Sequence, residues 1–589
     1  LGWWWLDPSV DAGMAPALLS SDSNLVSRQE LAQRVHATAF HLGDQAISRG
    51  DRLALVMAPG HSMATSLLGA MAVAATAPLV PSNPAEVFHQ DLRRLRVTRV
   101  LVDDDPPPAL LEAVRRQKVP LLRLNPFDLP DPTTLPLPLP APGDLALLLQ
   151  TSGTTSQPKV VPLSHANLLA SARSVAEALD LGPEDRSLAA MPLFHIHGIV
   201  ASLLAPLLAG GSVICCRTTA PDALLKDLTD LQPTWLSAVP TLLQALLAEL
   251  RQQGDSAPTH RLKLLRSSSS PLPPAVFEQL EATFQVPVLE AYGMTEAAHQ
   301  ICCNRLPGTG TPRKPGSVGR PGGPEVVVLS DDRRVLPVGE VGEVAIRGAN
   351  VTAGYEESDR SGWIQAVDGG HWFLTGDEGW FDADGCLHLT GRLKEMINRG
   401  GEKVIPRRVD EALLQHPAVA EALAFSLPHP TLGEDLGAAV VLHPGAAVDE
   451  QELRRHAFTA LAPHEVPSRI VLLSALPRGA TGKLQRIGLA ERLGDALQVP
   501  QEALVGELEE LVGEAFAAVL AQAVPGRHAN FFQLGGDSLS GMRVISRLAE
   551  RLGLDLPPAL LFSHPSVCTL AERLDQLLDE TLAQLEEAR

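Results

Sequence analysis

A chain of 589 residues with 45% hydrophobic and 20% charged residues is long enough for several domains and reads as globular. Its formal net charge of −20 excludes general nucleic-acid binding, which needs clustered Lys and Arg. The six cysteines form no C-x-x-C pair, which argues against a disulfide or zinc framework and fits reduced packing residues in a cytoplasmic protein.

The start, Leu1-Gly2-Trp3-Trp4-Trp5, is apolar but too short for a signal peptide, and the first domain is expected to begin at Met14. Leu53–Met57 and Arg99–Val102 read as buried strands, with a helix over Ser62–Ala75 between them. That alternation predicts a layered α/β domain. Residues Pro126–Pro142 are proline-rich and predict an extended surface connection. An apolar strand, Leu145–Leu149, leads into Thr151-Ser152-Gly153-Thr154-Thr155-Ser156-Gln157-Pro158-Lys159. Hydroxyls, a glycine and a lysine in that order suit wrapping a polyphosphate. The loop is not G-x-x-x-x-G-K-[ST], so this is not a P-loop ATPase.

His195 and His197 flank Ile196. A His-x-His pair without further ligands reads as pocket wall, not as a metal site. Ile199–Ala209 is apolar but falls short of a membrane span. After Gly391 a smaller unit begins, with strands near Ala422–Phe425 and Ala438–Leu442, reaching about Leu493. From Gln501 to Arg589 there are 14 Asp+Glu against 6 Lys+Arg, a net of −8, which suits steering toward basic partner surfaces. Within that region stands Phe531-Phe532-Gln533-Leu534-Gly535-Gly536-Asp537-Ser538. The glycines allow a tight turn, and Asp537 and Ser538 suit a helix start, which holds the serine hydroxyl at a helix tip. Leu570, Leu574, Leu577, Leu578, Leu582 and Leu585 mark one face of a last helix.

The segment around Ser538 resembles the attachment site of acyl- and peptidyl-carrier domains, whose serine receives 4'-phosphopantetheine. The loop from Thr151 to Lys159 resembles the phosphate loop of the adenylate-forming superfamily, which includes acyl-CoA synthetases and peptide-synthetase adenylation domains. Further motifs of that superfamily follow in order. Glu290-Ala291-Tyr292-Gly293-Met294-Thr295-Glu296 is similar to its adenine and phosphate motif. The resemblance implies that Thr151, Ser152, Gly153, Thr154, Thr155 and Lys159 surround the ATP phosphates. It also places Tyr292 and Gly293 near adenine, Thr295 at the α-phosphate and Glu296 on Mg²⁺. Asp377, in Trp372-Phe373-Leu374-Thr375-Gly376-Asp377, and Arg392 match the ribose-contacting pair. Lys394 falls at the hinge position, and Gly400-Gly401-Glu402-Lys403 matches the loop facing the second half-reaction. Pro477-Arg478-Gly479-Ala480-Thr481-Gly482-Lys483 resembles the terminal motif and makes Lys483 the catalytic lysine.

Within the superfamily the nearest resemblance is to the oxalyl-CoA synthetase-type branch. It rests on Phe194-His195-Ile196-His197-Gly198, Arg266-Ser267-Ser268-Ser269-Ser270 and Thr295-Glu296-Ala297-Ala298-His299-Gln300, among others. It implies a substrate pocket of His197, Ser267 and His299 that holds a second carboxylate. No Asp follows the aromatic residue of the early pocket motif, which argues against an amino-acid substrate.

The implied fold class is multidomain. A large α/β adenylation domain over 14–391 is followed by a small α+β mobile lid over 392–493. A linker over 494–502 then leads to an all-α four-helix-bundle carrier over 503–580 and a helical tail over 581–589. The implied function is ATP-dependent activation of a carboxylic acid to acyl-AMP, then thioester loading onto phosphopantetheine at Ser538. ATP, Mg²⁺ and 4'-phosphopantetheine are the implied cofactors, with free CoA as the acceptor in the rival reading of an acyl-CoA ligase. The carboxylic acid, a phosphopantetheinyl transferase and downstream carrier-dependent enzymes are the implied partners. A non-catalytic carrier scaffold is the rival of another class.

Overall fold

The computed structural model describes residues 3–5, 13–20, 24–131, 139–151, 158–254, 257–310, 313–356, 362–366, 369–429, 432–478, 484–497, 502–520, 523–532, 534, 538–557 and 560–587. The chain divides into two compact units, Leu1–Leu389 and Thr390–Arg589, and the division falls inside the strand Leu387–Arg392.

The first unit holds a nine-stranded and a six-stranded sheet, both largely parallel, and strands of a third, antiparallel sheet. Parallel strands need helical crossovers, so both faces of each parallel sheet are covered and the strands are apolar on both sides. The strand Arg52–Val56 illustrates this. Leu53 and Leu55 belong to one hydrophobic cluster, and Ala54 and Val56 to another. The larger cluster lies between the two sheets. It takes residues from the helices Arg28–Asp44, His61–Val73 and His165–Ala178, and from the π-helical segment His197–Leu204. A strand covers Arg99–Val102 and a strand runs Leu145–Gln150, as the patterning predicts, whereas the helix expected over Ser62–Ala75 runs His61–Val73 and yields to the strand Ala75–Pro78. Residues 132–138 of the proline-rich stretch lie outside the described residues.

The apolar start is part of this core. Trp3, Trp4 and Trp5 are all buried in the large cluster. Trp4 Nε1 donates to Leu207 O at 2.7 Å, and the Arg28 guanidinium lies 4.4 Å from the Trp4 ring centroid. Sequence reading placed the domain start after these residues because the contact spans 203 positions. Trp5→Ala is expected to lower the stability of the first unit by about 3–5 kcal/mol, read as a shift in its denaturant midpoint.

His165 is buried, and its Nε2 lies 2.9 Å from Met71 O. Burial lowers its pKa from 6.5 to about 4, opposed by that backbone bond and by Asp144. The unfolded chain therefore binds a proton that the folded chain refuses. Stability should be full above pH ~6.5 and fall as the pH drops toward 4, by on the order of 3 kcal/mol for this group. Unfolding midpoints between pH 4 and 7 should show a shallower slope in His165→Gln.

In the second unit, Val419–His429 and Gly433–Leu442 form a long antiparallel pair. Ile397–Arg399, Glu402–Val404 and Arg469–Leu472 complete that sheet. The helices Pro406–Leu414 and Glu450–Ala460 share its core. Beyond it lie helices Gly506–Leu520, Ser538–Leu552, Leu560–Ser563 and Val567–Glu587 around a separate cluster that includes Phe516, Phe531 and Phe532. The segment expected as a separate tail continues the last helix through Glu587. No helix among the described residues is long and apolar enough to cross a membrane. All six cysteines are buried and free of disulfides, and burial pushes the Cys215 thiol up to about 12.

Candidate active site

The strand Val288–Met294 ends in a single 3₁₀ turn, Thr295–Ala297, and the chain returns as His299–Cys303. The reversal is tight. Ala298 and His299 have φ of +47° and +102°. A Cβ on Gly293 would stand 1.7 Å from His299 O, so only glycine fits there. Positive φ at a non-glycine histidine marks backbone strain held by its surroundings.

This turn gathers the motif residues. Tyr292 OH donates to Asp377 Oδ2 at 2.5 Å, although the two are 85 residues apart. Asp377 is buried on the strand His371–Phe381. Its N–H donates to Thr375 Oγ1 at 3.1 Å. Glu296 is buried, and its Oε1 accepts from Tyr355 OH at 2.6 Å. Lys159 Nζ lies 4.4 Å from the Tyr355 ring centroid, a cation–π contact. Tyr355 thus ties the carboxylate of one motif to the lysine of another. Sequence reasoning missed it, because nothing around position 355 repeats a motif pattern. Thr295 is half-buried at the head of the turn.

The polar loop is closed at its neck, where Thr151 N donates to Lys159 O at 2.9 Å and Lys159 N to Thr151 Oγ1 at 3.3 Å. Ser152, Gly153, Thr154 and Thr155 lie outside the described residues.

A second polar cluster borders the reversal. His197 is the first residue of the π-helical segment, a rare geometry common at functional sites. Its Nε2 lies 2.7 Å from Ser237 Oγ and its Nδ1 3.1 Å from Ser269 Oγ. The His197 and His299 rings stack with centroids 4.8 Å apart. Arg266, fully buried, donates from NH1 to Ser237 Oγ and to His299 Nε2 at 3.0 Å each, and from NH2 to Gln300 Oε1 at 3.0 Å. The expected pair His197 and His299 is therefore brought together.

Ser267 is buried, but alternation along Leu264–Ser268 puts it on the face of Leu265 and the second cluster. Its Oγ has no hydrogen-bond partner. Ser237 and Ser269 are the serines that meet His197, and neither they nor Arg266 carried a site role in the sequence reading.

The second unit carries the remaining motifs. Arg392 and Lys394 are exposed in a turn where Glu395 N donates to Arg392 O at 3.0 Å. Gly400 and Gly401, with φ of +62° and +100°, make the two-residue turn between Ile397–Arg399 and Glu402–Val404. Lys483 lies outside the described residues, which stop at Arg478 and resume at Leu484. Arg478 and Leu484 form an antiparallel bridge. Arg486 reaches Asp410 at 2.7 Å and Glu395 at 3.3 Å. Burial raises the Asp410 pKa, opposed by Arg486.

Ser538 opens the helix Ser538–Leu552. Just upstream, Asn530 Nδ2 donates to Ser468 O at 2.6 Å, and His429 Nε2 lies 2.5 Å from Phe532 O.

The family described as AMP-binding enzyme matches residues 11–356, and its C-terminal domain matches 408–483. The family described as phosphopantetheine attachment site matches 510–574. The chain is 43% identical to an oxalate–CoA ligase of Saccharomyces cerevisiae over 59% of its own length and 63% of that protein's. It is 36% identical to a sulfoacetate–CoA ligase of Cupriavidus necator over 80% of its own length and 94% of that protein's. Among solved structures it is similar to ATP-bound MatB from Rhodopseudomonas palustris, at a TM-score of 0.76 and 26% identity, covering 84% of this chain and 100% of that one.

Proposed function

We propose, from the premise that this chain belongs to the AMP-binding enzyme family and carries a phosphopantetheine attachment domain, that it activates a carboxylic acid with ATP and loads it onto Ser538. The observation that carries the reading is the convergence of Tyr292 with Asp377 and of Glu296 with Tyr355 and Lys159. A free carboxylate is a poor acyl donor because its leaving group is oxide. Attack of the acid oxygen on the α-phosphate forms the acyl–AMP bond and releases pyrophosphate. The gain comes from positioning and charge neutralisation.

Lys159 and the loop after Thr151 hold the phosphates, Thr295 meets the α-phosphate, and Asp377 takes the ribose. Tyr292 and Gly293 border the base. Glu296 is a hard oxygen donor at a buried position that would hold Mg²⁺, and the ion would supply positive charge to offset that on the departing pyrophosphate. Lys483 adds positive charge at the reacting phosphate, and the lid turns about Lys394 between half-reactions. Ser538 would carry phosphopantetheine, whose thiol sulfur would form the thioester as the acyl–oxygen bond to AMP breaks and AMP leaves. The attachment domain implies a phosphopantetheinyl transferase that recognises this helix tip. His197 and His299 favour a short non-amino acid.

The relatives' names favour a second reading, in which free CoA is the acceptor. ATP–pyrophosphate exchange across short diacids, aryl acids, fatty acids and amino acids tests the activation. Intact mass of the phosphopantetheinylated protein, set beside assay of free acyl-CoA, separates the two acceptors. An absence of exchange with every acid leaves only a carrier scaffold and sinks the proposal.

A further inference from the structure

The segment just upstream of Ser538 is seated on the lid, inside the second unit. Asn530 and Phe532 are both buried. Asn530 Nδ2 donates to Ser468 O at 2.6 Å, while its Oδ1 accepts from Phe532 N at 3.0 Å. The Ser468 carbonyl also accepts from Arg454 NH2 at 2.7 Å, which fixes it in the lid. The Arg399 guanidinium, paired with Asp435 at 2.7 Å, lies 5.8 Å from the Phe532 ring centroid.

A run of hydrogen bonds joins Phe532 to the turn at Gly400 and Gly401. Gly400 N donates to Leu432 O at 3.2 Å and Leu432 N to His429 Nδ1 at 3.0 Å, and His429 Nε2 lies 2.5 Å from Phe532 O. The directions are forced. A backbone N–H only donates, so His429 Nδ1 accepts, and Nε2 carries the ring proton that goes to the carbonyl. Strand register gathers these residues, because Gly433 stands opposite both Arg399 and His429. Contacts between domains of one chain are ordinarily loose. A buried donor that misses its acceptor loses the cost of its desolvation, so these directional bonds favour one seating.

We propose that His429 and Asn530 are positioning residues for thioester formation: they seat the carrier on the lid in one orientation, so that the Ser538 arm moves with the lid and meets the acyl-AMP when the lid turns. This rests on the adenylation reading above and adds the route by which the acceptor arrives. The chemical step is the one already given, with the thiol proton released to solvent as the sulfur–acyl bond forms and AMP leaves. Neither residue touches the acid or the nucleotide. The seat sets the effective concentration of the thiol, which a carrier on a free tether would lower.

The test uses the full-length phosphopantetheinylated protein, with the arm confirmed by intact mass in every variant. His429→Asn keeps an acceptor where Nδ1 stands and gives up the reach to Phe532 O. Asn530→Asp keeps the acceptor for Phe532 N and sets an oxygen against Ser468 O. Each should slow single-turnover loading of the arm from supplied acyl-AMP by about 3- to 10-fold, the span of one hydrogen bond. ATP–pyrophosphate exchange, and transfer of the same acyl group to added free pantetheine, should stay at wild-type rates, which a damaged lid would not allow. His429→Gln, whose amide N–H can stand where Nε2 stood, should restore loading. Hydrogen exchange of the Phe532 amide should quicken in His429→Asn, which leaves its bond to Asn530 in place. Loading at the wild-type rate in both variants, or faster loading in either, overturns this inference while exchange upholds the adenylation reading. Losses shared equally by exchange and by transfer to free pantetheine overturn it too, because they mark a merely structural role. No exchange by the wild-type protein with any acid overturns the adenylation reading, and the Phe532 amide then still reports whether the seat exists.

Discussion

Ser538→Ala is expected to abolish acyl loading of the protein while leaving ATP–pyrophosphate exchange at its wild-type rate. On the proposed reading the two activities reside in different parts of the chain. Exchange would need the phosphate loop, Glu296, Asp377 and Lys483. Loading would need one oxygen nucleophile to which phosphopantetheine is attached. Alanine removes that oxygen and is otherwise a good residue for the first position of the 15-residue helix Ser538–Leu552. The helical cluster there depends on Val512, Phe516, Phe531, Val544, Leu548 and Leu570, so the domain should remain folded. Its contact with the lid runs through Asn530, Phe532, His429 and Ser468, which the substitution leaves in place. Intact-protein mass after incubation with transferase, CoA, ATP and acid should show no added mass in the variant. A matching loss of exchange would mean that the carrier supports the adenylation cleft, contrary to the division drawn here.

Much of this arrangement was legible in sequence because its parts are local. A strand followed by a polar loop announces itself locally, as at Leu145–Lys159, and Glu290–Glu296 stood out by its resemblance to a known motif. Two-sided apolar strands such as Arg52–Val56 follow from composition alone. What stayed hidden depends on partners far along the chain. Tyr355 joins Glu296 across 59 residues, and Trp4 joins Leu207 across 203. Strand parity decided the pocket. Arg266 and Ser267 are neighbours in one serine-rich run, yet the pleat turns them to opposite faces. The apolar run after His197 suits any helix, and its π geometry depends on close packing at Gly198. A Cβ there would stand 2.3 Å from Pro192 O.

Lys483→Ala should lower the rate of acyl-adenylate formation by about 10²–10³-fold, the usual loss when one donor to a developing negative charge is removed. It should spare thioester formation from supplied acyl-AMP. The asymmetry follows from what each half-reaction needs. The first builds charge on the α-phosphate and the leaving pyrophosphate, where an ammonium group helps. The second expels AMP from an ester already made. The Arg478–Leu484 bridge flanks position 483, and Arg486 pins the next residues to buried Asp410. The same guanidinium reaches Glu395, beside the exposed Lys394. Arg486 therefore links the segment after position 483 to Glu395 and Asp410 inside the second unit. If the lid turns about Lys394, the loop bearing Lys483 must travel with it and leave the cleft before the thiol arrives. Exchange assays measure the first half-reaction, and single turnover of synthetic acyl-AMP measures the second. Equal losses in both would show that Lys483 stays in the cleft throughout, and a lid that alternates between two positions would then be wrong.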